Sequence, residues 1–266
     1  MPIVDCGKFN IHYVEEGKGY PVVLIHGLAG DHTAWKPYLA ALKDGYRVIA
    51  FDNPGSGKSS PVPADVTMAD LARATLALMD HLKIDAAHIV GRSMGGLVAQ
   101  EMYFAQPNRI RTIAMAASLA KLDPIGDRLI RNMRDIIAWR KNWTEWAKVA
   151  SPVFVSPKFF NENPDKMADI ERLLGDESRD QASYTNLANS ILAYDALDRI
   201  GSIKCPTLIM AGRVDPICSM NSTQRMADRM PHAELVVFES SSHFFLMEEA
   251  PKAMATIKQW LTRHTP

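Results

Sequence analysis

Four strand-length runs dominated by apolar residues constrain this chain more than any other feature. They are Pro21-Val22-Val23-Leu24-Ile25, Tyr46-Arg47-Val48-Ile49-Ala50-Phe51, Ala87-His88-Ile89-Val90, and residues 110–116. A continuous apolar run such as 21–25 suits a strand covered on both faces, the situation of a parallel sheet. The segments between the runs are helical in pattern: one at about 35–42, and one at 67–82 with Leu71, Thr75, Leu78, Met79 and Leu82 along one face. Thr67 is placed to cap the second of these. Strands alternating with helices predict a doubly wound, mostly parallel α/β sheet with helices on both faces. An earlier run, 9–14, alternates like a half-buried strand and ends in the turn signal Glu15-Glu16-Gly17-Lys18-Gly19.

The rhythm breaks after Ser118 and resumes only at Cys205-Pro206-Thr207-Leu208-Ile209-Met210-Ala211. A gap of that length exceeds an ordinary crossover and is expected to carry structure of its own. Leu129, Met133, Ile136 and Ile137 form one helical stripe, and Trp139, Trp143 and Trp146 form another. Pro152 and Pro157 bracket a break, with further helices expected at 164–174 and 181–192. Residues 119–196 are therefore expected to be a helical cap inserted after the sixth strand, between core segments 1–118 and 197–266. A helix near 220–230, a strand at 234–238 and a closing helix near 251–261 complete the pattern.

Composition narrows the function classes. The 266 residues carry 30 Lys plus Arg against 30 Asp plus Glu, so no net field favours nucleic acid or an anionic membrane. Cys6, Cys205 and Cys218 are odd in number and lack any C-x-x-C spacing, which argues against a disulfide framework and a zinc site. No signal peptide or membrane span is expected, so the predicted location is cytoplasmic.

The segment Val90-Gly91-Arg92-Ser93-Met94-Gly95-Gly96 joins an expected strand directly to an expected helix. That is the G-x-S-x-G pattern, in which a serine stands on a tight turn flanked by glycines. A serine hydroxyl needs a general base, and a histidine base needs a carboxylate to orient and stabilise it. In a parallel sheet these groups belong at the carboxyl ends of strands. Asp215 follows the strand ending at Ala211, and His243 follows the strand ending at Phe238. The order Ser, Asp, His matches the elbow. Asp215 has two other readings, as a cap of the next helix or a partner of Arg213; after the earlier strand, Ala117-Ser118-Leu119 offers no acid and Asp123 lies further on.

With His26-Gly27, Asp52-Asn53-Pro54-Gly55-Ser56-Gly57, the Ser93 elbow, 212–216 and Ser242-His243 in this order, the chain resembles the α/β-hydrolase superfamily over nearly its whole length. It looks most like capped carboxylesterases, enol-lactonases and carbon–carbon bond hydrolases. The resemblance implies a catalytic triad of Ser93, Asp215 and His243. It also implies an oxyanion hole from the backbone N–H groups of Met94 and Leu28, with Ala29 as the fallback. His26 and Asp52 are expected to brace loops. The segment 54–59 lacks the spacing of a phosphate-binding loop. Trp139, Trp143 and Phe244 are the expected pocket residues, although the tryptophans also suit packing of the cap.

Arg92 puts a positive charge on the elbow. Arg128, Arg131, Arg134 and Arg140 lie in the cap, where pairing with Asp127 and Asp135 competes with a role facing the substrate. The expected activity is hydrolysis of a small to medium carboxylic ester through an acyl-enzyme, with water as second substrate and no cofactor or metal. Alternatives are an enol-lactonase, a β-diketone or meta-cleavage-product hydrolase, a cofactor-free perhydrolase or haloperoxidase, and a small-molecule receptor. The Leu28-Ala29-Gly30-Asp31 loop lowers the carbon–carbon option, whose relatives have a glycine- and proline-rich loop there.

Overall fold

Eight strands form one sheet in the computed structural model, which describes residues 2–266. They are β1 (Ile3–Asp5), β2 (Asn10–Glu16), β3 (Tyr20–Ile25), β4 (Tyr46–Phe51), β5 (Ala87–Arg92), β6 (Ile110–Ala116), β7 (Thr207–Gly212) and β8 (Glu234–Phe238). Their spatial order is β1-β2-β4-β3-β5-β6-β7-β8. β1 and β2 pair antiparallel, as do β2 and β4, and every other pairing is parallel. The alternation of strand and helix thus produces the expected α/β sheet. β1 was invisible in the sequence because three residues are too few to show a period.

The helices of the first half are α1 (Lys36–Leu42), α2 (Met68–His81) and α3 (Met94–Ala105). Between β6 and β7 come α4 (Pro124–Arg140), α5 (Trp143–Phe154), α6 (Pro157–Glu162), α7 (Pro164–Leu174) and α8 (Gln181–Leu192). The chain closes with α9 (Met220–Ala227), α10 (Phe245–Glu248) and α11 (Ala250–His264). Among the described residues no helix is long and apolar enough to cross a membrane.

β3 shows why its run is unbroken. Val23 and Ile25 join the core shared with Leu71 and Met79 of α2 and Leu97 and Met102 of α3. Val22 and Leu24 join the opposite core, with Leu39 and Leu42 of α1 and Ile257, Trp260 and Leu261 of α11. Alternate residues serve opposite faces and both faces are covered. Each such side chain contributes roughly 1.5–3 kcal/mol by leaving water.

The expected tryptophan stripe does not exist as one helix face. Lys141 takes a left-handed conformation (φ 52°) that ends α4, and the Asn142 side chain accepts the Glu145 N–H to start α5. Trp139 is therefore on α4, while Trp143 and Trp146 are on α5. The latter two meet edge-to-face at 5.3 Å, and both pack against Tyr184 of α8. Pro152 lies inside α5, and the break falls at Val155–Ser156, before Pro157 opens α6. The insertion leaves and re-enters the core through one narrow neck. There the Ala196 N–H donates to the Ala120 carbonyl at 2.9 Å, and Lys121 bridges to Asp195.

Two local devices fix the segments around the sheet's carboxyl edge. At α2 the Thr67 hydroxyl accepts the Asp70 N–H, and the Asp70 carboxylate accepts the Thr67 N–H, a reciprocal capping box. After β4, the buried Asp52 carboxylate accepts Nδ1–H of His12 (2.8 Å), Nδ1–H of His32 (2.7 Å) and the backbone N–H groups of His32 and Lys58. Four donors from three segments converge on one side chain. Burial alone would raise the Asp52 pKa, but the His32 and Lys58 N–H groups and the His32 ring hold it below the usual carboxylate value.

Replacing Thr67 by Ala is expected to lower stability by about 1 kcal/mol in urea unfolding. Asp52→Asn is expected to cost about 3 kcal/mol at pH 7, because it leaves buried donors facing the wrong partner. Since the folded pKa of Asp52 lies below its unfolded value, the carboxylate's contribution is complete above ~4 and fades as pH falls through the folded value. The stability gap between wild type and Asp52→Asn should accordingly narrow below about pH 4.

Candidate active site

Ser93 occupies the single step between β5 and α3, at φ 52° and ψ −120°. A non-glycine residue in that region carries strain of order 1–3 kcal/mol and must be held from outside. Its N–H donates to the Ala116 carbonyl at 2.8 Å, and its carbonyl accepts the Gly96 N–H and the Ser118 hydroxyl, each at 2.9 Å. The flanking glycines serve close packing. A Cβ on Gly91 would lie 2.4 Å from the Gly95 carbonyl oxygen, and one on Gly95 would lie 2.2 Å from that of Ile25. Helix α3 can thus start flush against the ends of β3 and β5, and the Ser93 side chain stays clear.

β7 and β8 bring up the other two groups. His243 Nε2 lies 3.1 Å from Ser93 Oγ, and His243 Nδ1 lies 2.8 Å from Asp215 Oδ2. The second Asp215 oxygen accepts the N–H groups of Ile217 (2.8 Å) and Cys218 (3.0 Å), so the carboxylate is fully engaged and buried. Arg213, the other partner considered for it, pairs with Glu239 instead. Asp123 caps α4 through the Gly126 N–H and bonds the Ser219 hydroxyl. The His243 loop is seated on β7: a Cβ on Gly212 would lie 2.3 Å from the Ser242 carbonyl oxygen. Because a carboxylate can only accept, His243 carries its proton on Nδ1, which leaves Nε2 able to accept from the serine hydroxyl.

Met94 directly follows the serine in the chain, and Leu28 lies in the loop that touches it. Met94 is the first residue of α3, so its N–H has no carbonyl inside the helix to bond. The partial positive charge of a helix N-terminus also favours a developing anion there. On the opposite side a Cβ on Gly27 would lie 2.9 Å from Ser93 Cβ, which places the 27–30 loop in contact with the serine. Leu28 follows. Among the described residues no backbone carbonyl takes its N–H. Ala29 is left-handed (φ 59°), and the Gly30 N–H closes the turn onto the Gly27 carbonyl at 3.1 Å. His26 braces that turn: its Nδ1–H donates to the Gly27 carbonyl while Nε2 accepts the Asn53 N–H.

Arg92 lies beneath the site, with its guanidinium carbon 4.2 Å from the centre of the Phe244 ring. Burial lowers its pKa to about 10, partly offset by Asp215, so it stays charged at neutral pH. The Phe244 ring stacks on Phe154 of α5 at 4.8 Å, and the Phe244 N–H donates to the Phe154 carbonyl at 2.8 Å.

A cavity of about 510 Å³ lies between the core loops and the inserted helices. Its walls include Leu28 and Ala29 from the core and Trp143, Arg179, Tyr184 and Leu187 from the insertion. Of the expected pocket residues, Trp143 lines this cavity. Trp139 does not: it is 77% exposed on the outer side of α4, with Arg140 against its ring. Phe244 is committed to Arg92 and Phe154. Arg131, Arg134 and Arg140 pair on the surface with Asp127, Asp135 and Glu145, and Arg128 is exposed. Arg179, which the sequence did not single out, is the arginine that reaches the cavity. Its context, Asp176-Glu177-Ser178-Arg179-Asp180, reads as an ordinary solvated turn.

Comparison with known proteins identifies the family and the fold. The family described as alpha/beta hydrolase fold matches residues 20–250. A putative carbamate hydrolase RutD of Azorhizobium caulinodans is 25% identical over 246 residues, covering 92% of each chain. The 3-oxoadipate enol-lactonase 1 of Acinetobacter baylyi is 29% identical over 238 residues, covering 87% of this chain and 84% of the relative. Among solved structures, the enol-lactonase of Burkholderia xenovorans LB400 superposes with a TM-score of 0.90 at 25% identity, over 98% of this chain and all (100%) of the other. The sheet order, the elbow and the matched length together establish that this chain belongs to the α/β-hydrolase fold family.

Proposed function

We propose that this hydrolase cleaves carboxylic esters of small to medium size by nucleophilic catalysis at Ser93. The observation that carries this reading is the continuous hydrogen-bonded chain Ser93–His243–Asp215, at 3.1 and 2.8 Å. His243 Nε2 takes the Ser93 proton as Oγ attacks the acyl carbon, and the imidazolium is stabilised by Asp215. The tetrahedral oxyanion is received by the N–H groups of Met94 and Leu28, donors fixed before the reaction begins. His243 then protonates the departing alcohol, and the acyl group remains on Ser93. Water, deprotonated by the same nitrogen, releases the acid and restores the hydroxyl. Residues 119–196 act as the cap that shapes the substrate pocket, and the reaction belongs in the cytoplasm. Likeness to two enol-lactonases supports a second reading in which the ester is internal, a lactone opened by the same steps.

Turnover of p-nitrophenyl esters from acetate to dodecanoate tests the first reading. Wild type is expected to show an optimum among the shorter chains, and Ser93→Ala to lose at least about 10⁴-fold in kcat. Wild-type rates no higher than those of Ser93→Ala would overturn simple ester hydrolysis. Asp215→Asn should fold normally by circular dichroism yet lose about 10³–10⁴-fold in kcat, because the amide favours the wrong histidine tautomer.

A further inference from the structure

The cavity between the core loops and the helices that follow β6 holds an arginine that, among the described residues, is in salt-bridge contact with no carboxylate. Arg179, in the turn between α7 and α8, lines its wall. Nη1 donates to the Ala29 carbonyl at 2.5 Å, and Nη2 donates to the Leu173 carbonyl at 2.7 Å. The Arg179 carbonyl in turn accepts the Trp143 indole N–H at 3.0 Å, so both ends of the residue are fixed. Both guanidinium bonds end on neutral acceptors. A guanidinium has five N–H donors, and these bonds use two.

Three aspartates share the cavity wall, but each is turned to its own backbone. Asp31 accepts the Thr33 N–H and hydroxyl, Asp176 accepts the Ser178 N–H, and Asp180 caps α8 through the Ala182 and Ser183 N–H groups. Burial lowers the Arg179 pKa, and Asp31 and Asp176 only partly offset it. None of the three aspartates bonds the guanidinium, whose remaining donors are left for another acceptor. Ser93 and His243 are not in the cavity wall, but one loop links the two places: Gly27 packs on the serine, while Leu28 and Ala29, the next residues, line the cavity.

We infer that Arg179 binds a free carboxylate of the substrate, so that the ester or lactone hydrolysed at Ser93 is an acidic one. This rests on the ester-hydrolase reading of Ser93. Anchored on two carbonyls, the guanidinium is held in place before binding and presents its remaining donors to a carboxylate, where charge-assisted bonds are strongest.

Monoethyl glutarate and ethyl pentanoate, matched in acyl length, provide the test, with acid release followed in a pH-stat. Wild type is expected to favour the glutarate ester in kcat/KM by 10-fold or more. In Arg179→Gln that preference should fall by about 10- to 100-fold, mainly through KM, the range for hydrogen bonds to a charged group. Arg179→Lys should retain part of it, since the charge survives without the planar fork. The inference is overturned if wild type shows no preference, or if Arg179→Gln lowers both esters equally, as a purely structural tie would. Should neither ester be hydrolysed in a Ser93-dependent way, the ester reading fails by itself, and calorimetric titration of Ser93→Ala protein with glutarate decides the carboxylate site. Binding that weakens 10-fold or more when Arg179→Gln is added supports it. Absent or unaltered binding refutes it.

Discussion

The close approach of α3 to the ends of β3 and β5 is the constraint on which the site depends. The Gly95 Cα sits against the Ile25 carbonyl and Gly91 against Gly95, so no side chain fits at either position. This forces the one residue between strand and helix into a left-handed conformation, and that residue is Ser93. Its strain is offset by three hydrogen bonds, to Ala116 at the end of β6, Gly96 in α3 and Ser118 just after β6. Once the backbone is fixed this way, the hydroxyl and the Met94 N–H have fixed relative positions, and His26 holds the 27–30 loop beside them.

Buried charge is handled in two opposite ways around this centre. Asp52 and Asp215 each receive donors on both oxygens, and Asp52 thereby ties β2, the segment at His32 and the loop after β4 to one point. The arginines are treated differently. Arg92 rests on an aromatic ring and leaves its Nε without a hydrogen-bond partner. Arg179 is tied only to carbonyls. Carboxylates held by many donors are structural or orienting groups, whereas a cation left short of acceptors retains the capacity to attract one.

Much of this was legible in the sequence, for physical reasons that also explain what was not. β4 and β6 start and stop where their apolar runs do, because a buried strand inside the sheet tolerates few polar residues. Ser93, Asp215 and His243 stood out because each follows such a strand, and the strand ends converge on one edge. Residues placed by helix packing were harder. Trp139 and Trp143 are spaced like neighbours on one helix, yet a left-handed Lys141 separates them and turns Trp139 to solvent. Arg179 gave no signal, because its meaning comes from Ala29 and Leu173, distant in sequence or lacking any side-chain chemistry to betray them.

The neck at Ala120 and Ala196 has a consequence for how the two halves of the molecule relate. Where a chain leaves and returns through adjacent, hydrogen-bonded residues, everything between is a closed loop as far as the sheet is concerned. The entropy of closing such a loop rises only logarithmically with its length. Lengthening or shortening the helices between these residues therefore adds little loop-closure entropy to the folding of the sheet. What such an exchange would change are the contacts that cross the boundary, among them Phe154 to Phe244, Arg179 to Ala29, Val62 to Ser183 and Ser156 to Glu248. The strained elbow and the helices between β6 and β7 thus come from separate stretches of chain that meet at the Ala120–Ala196 bond and along one shared core.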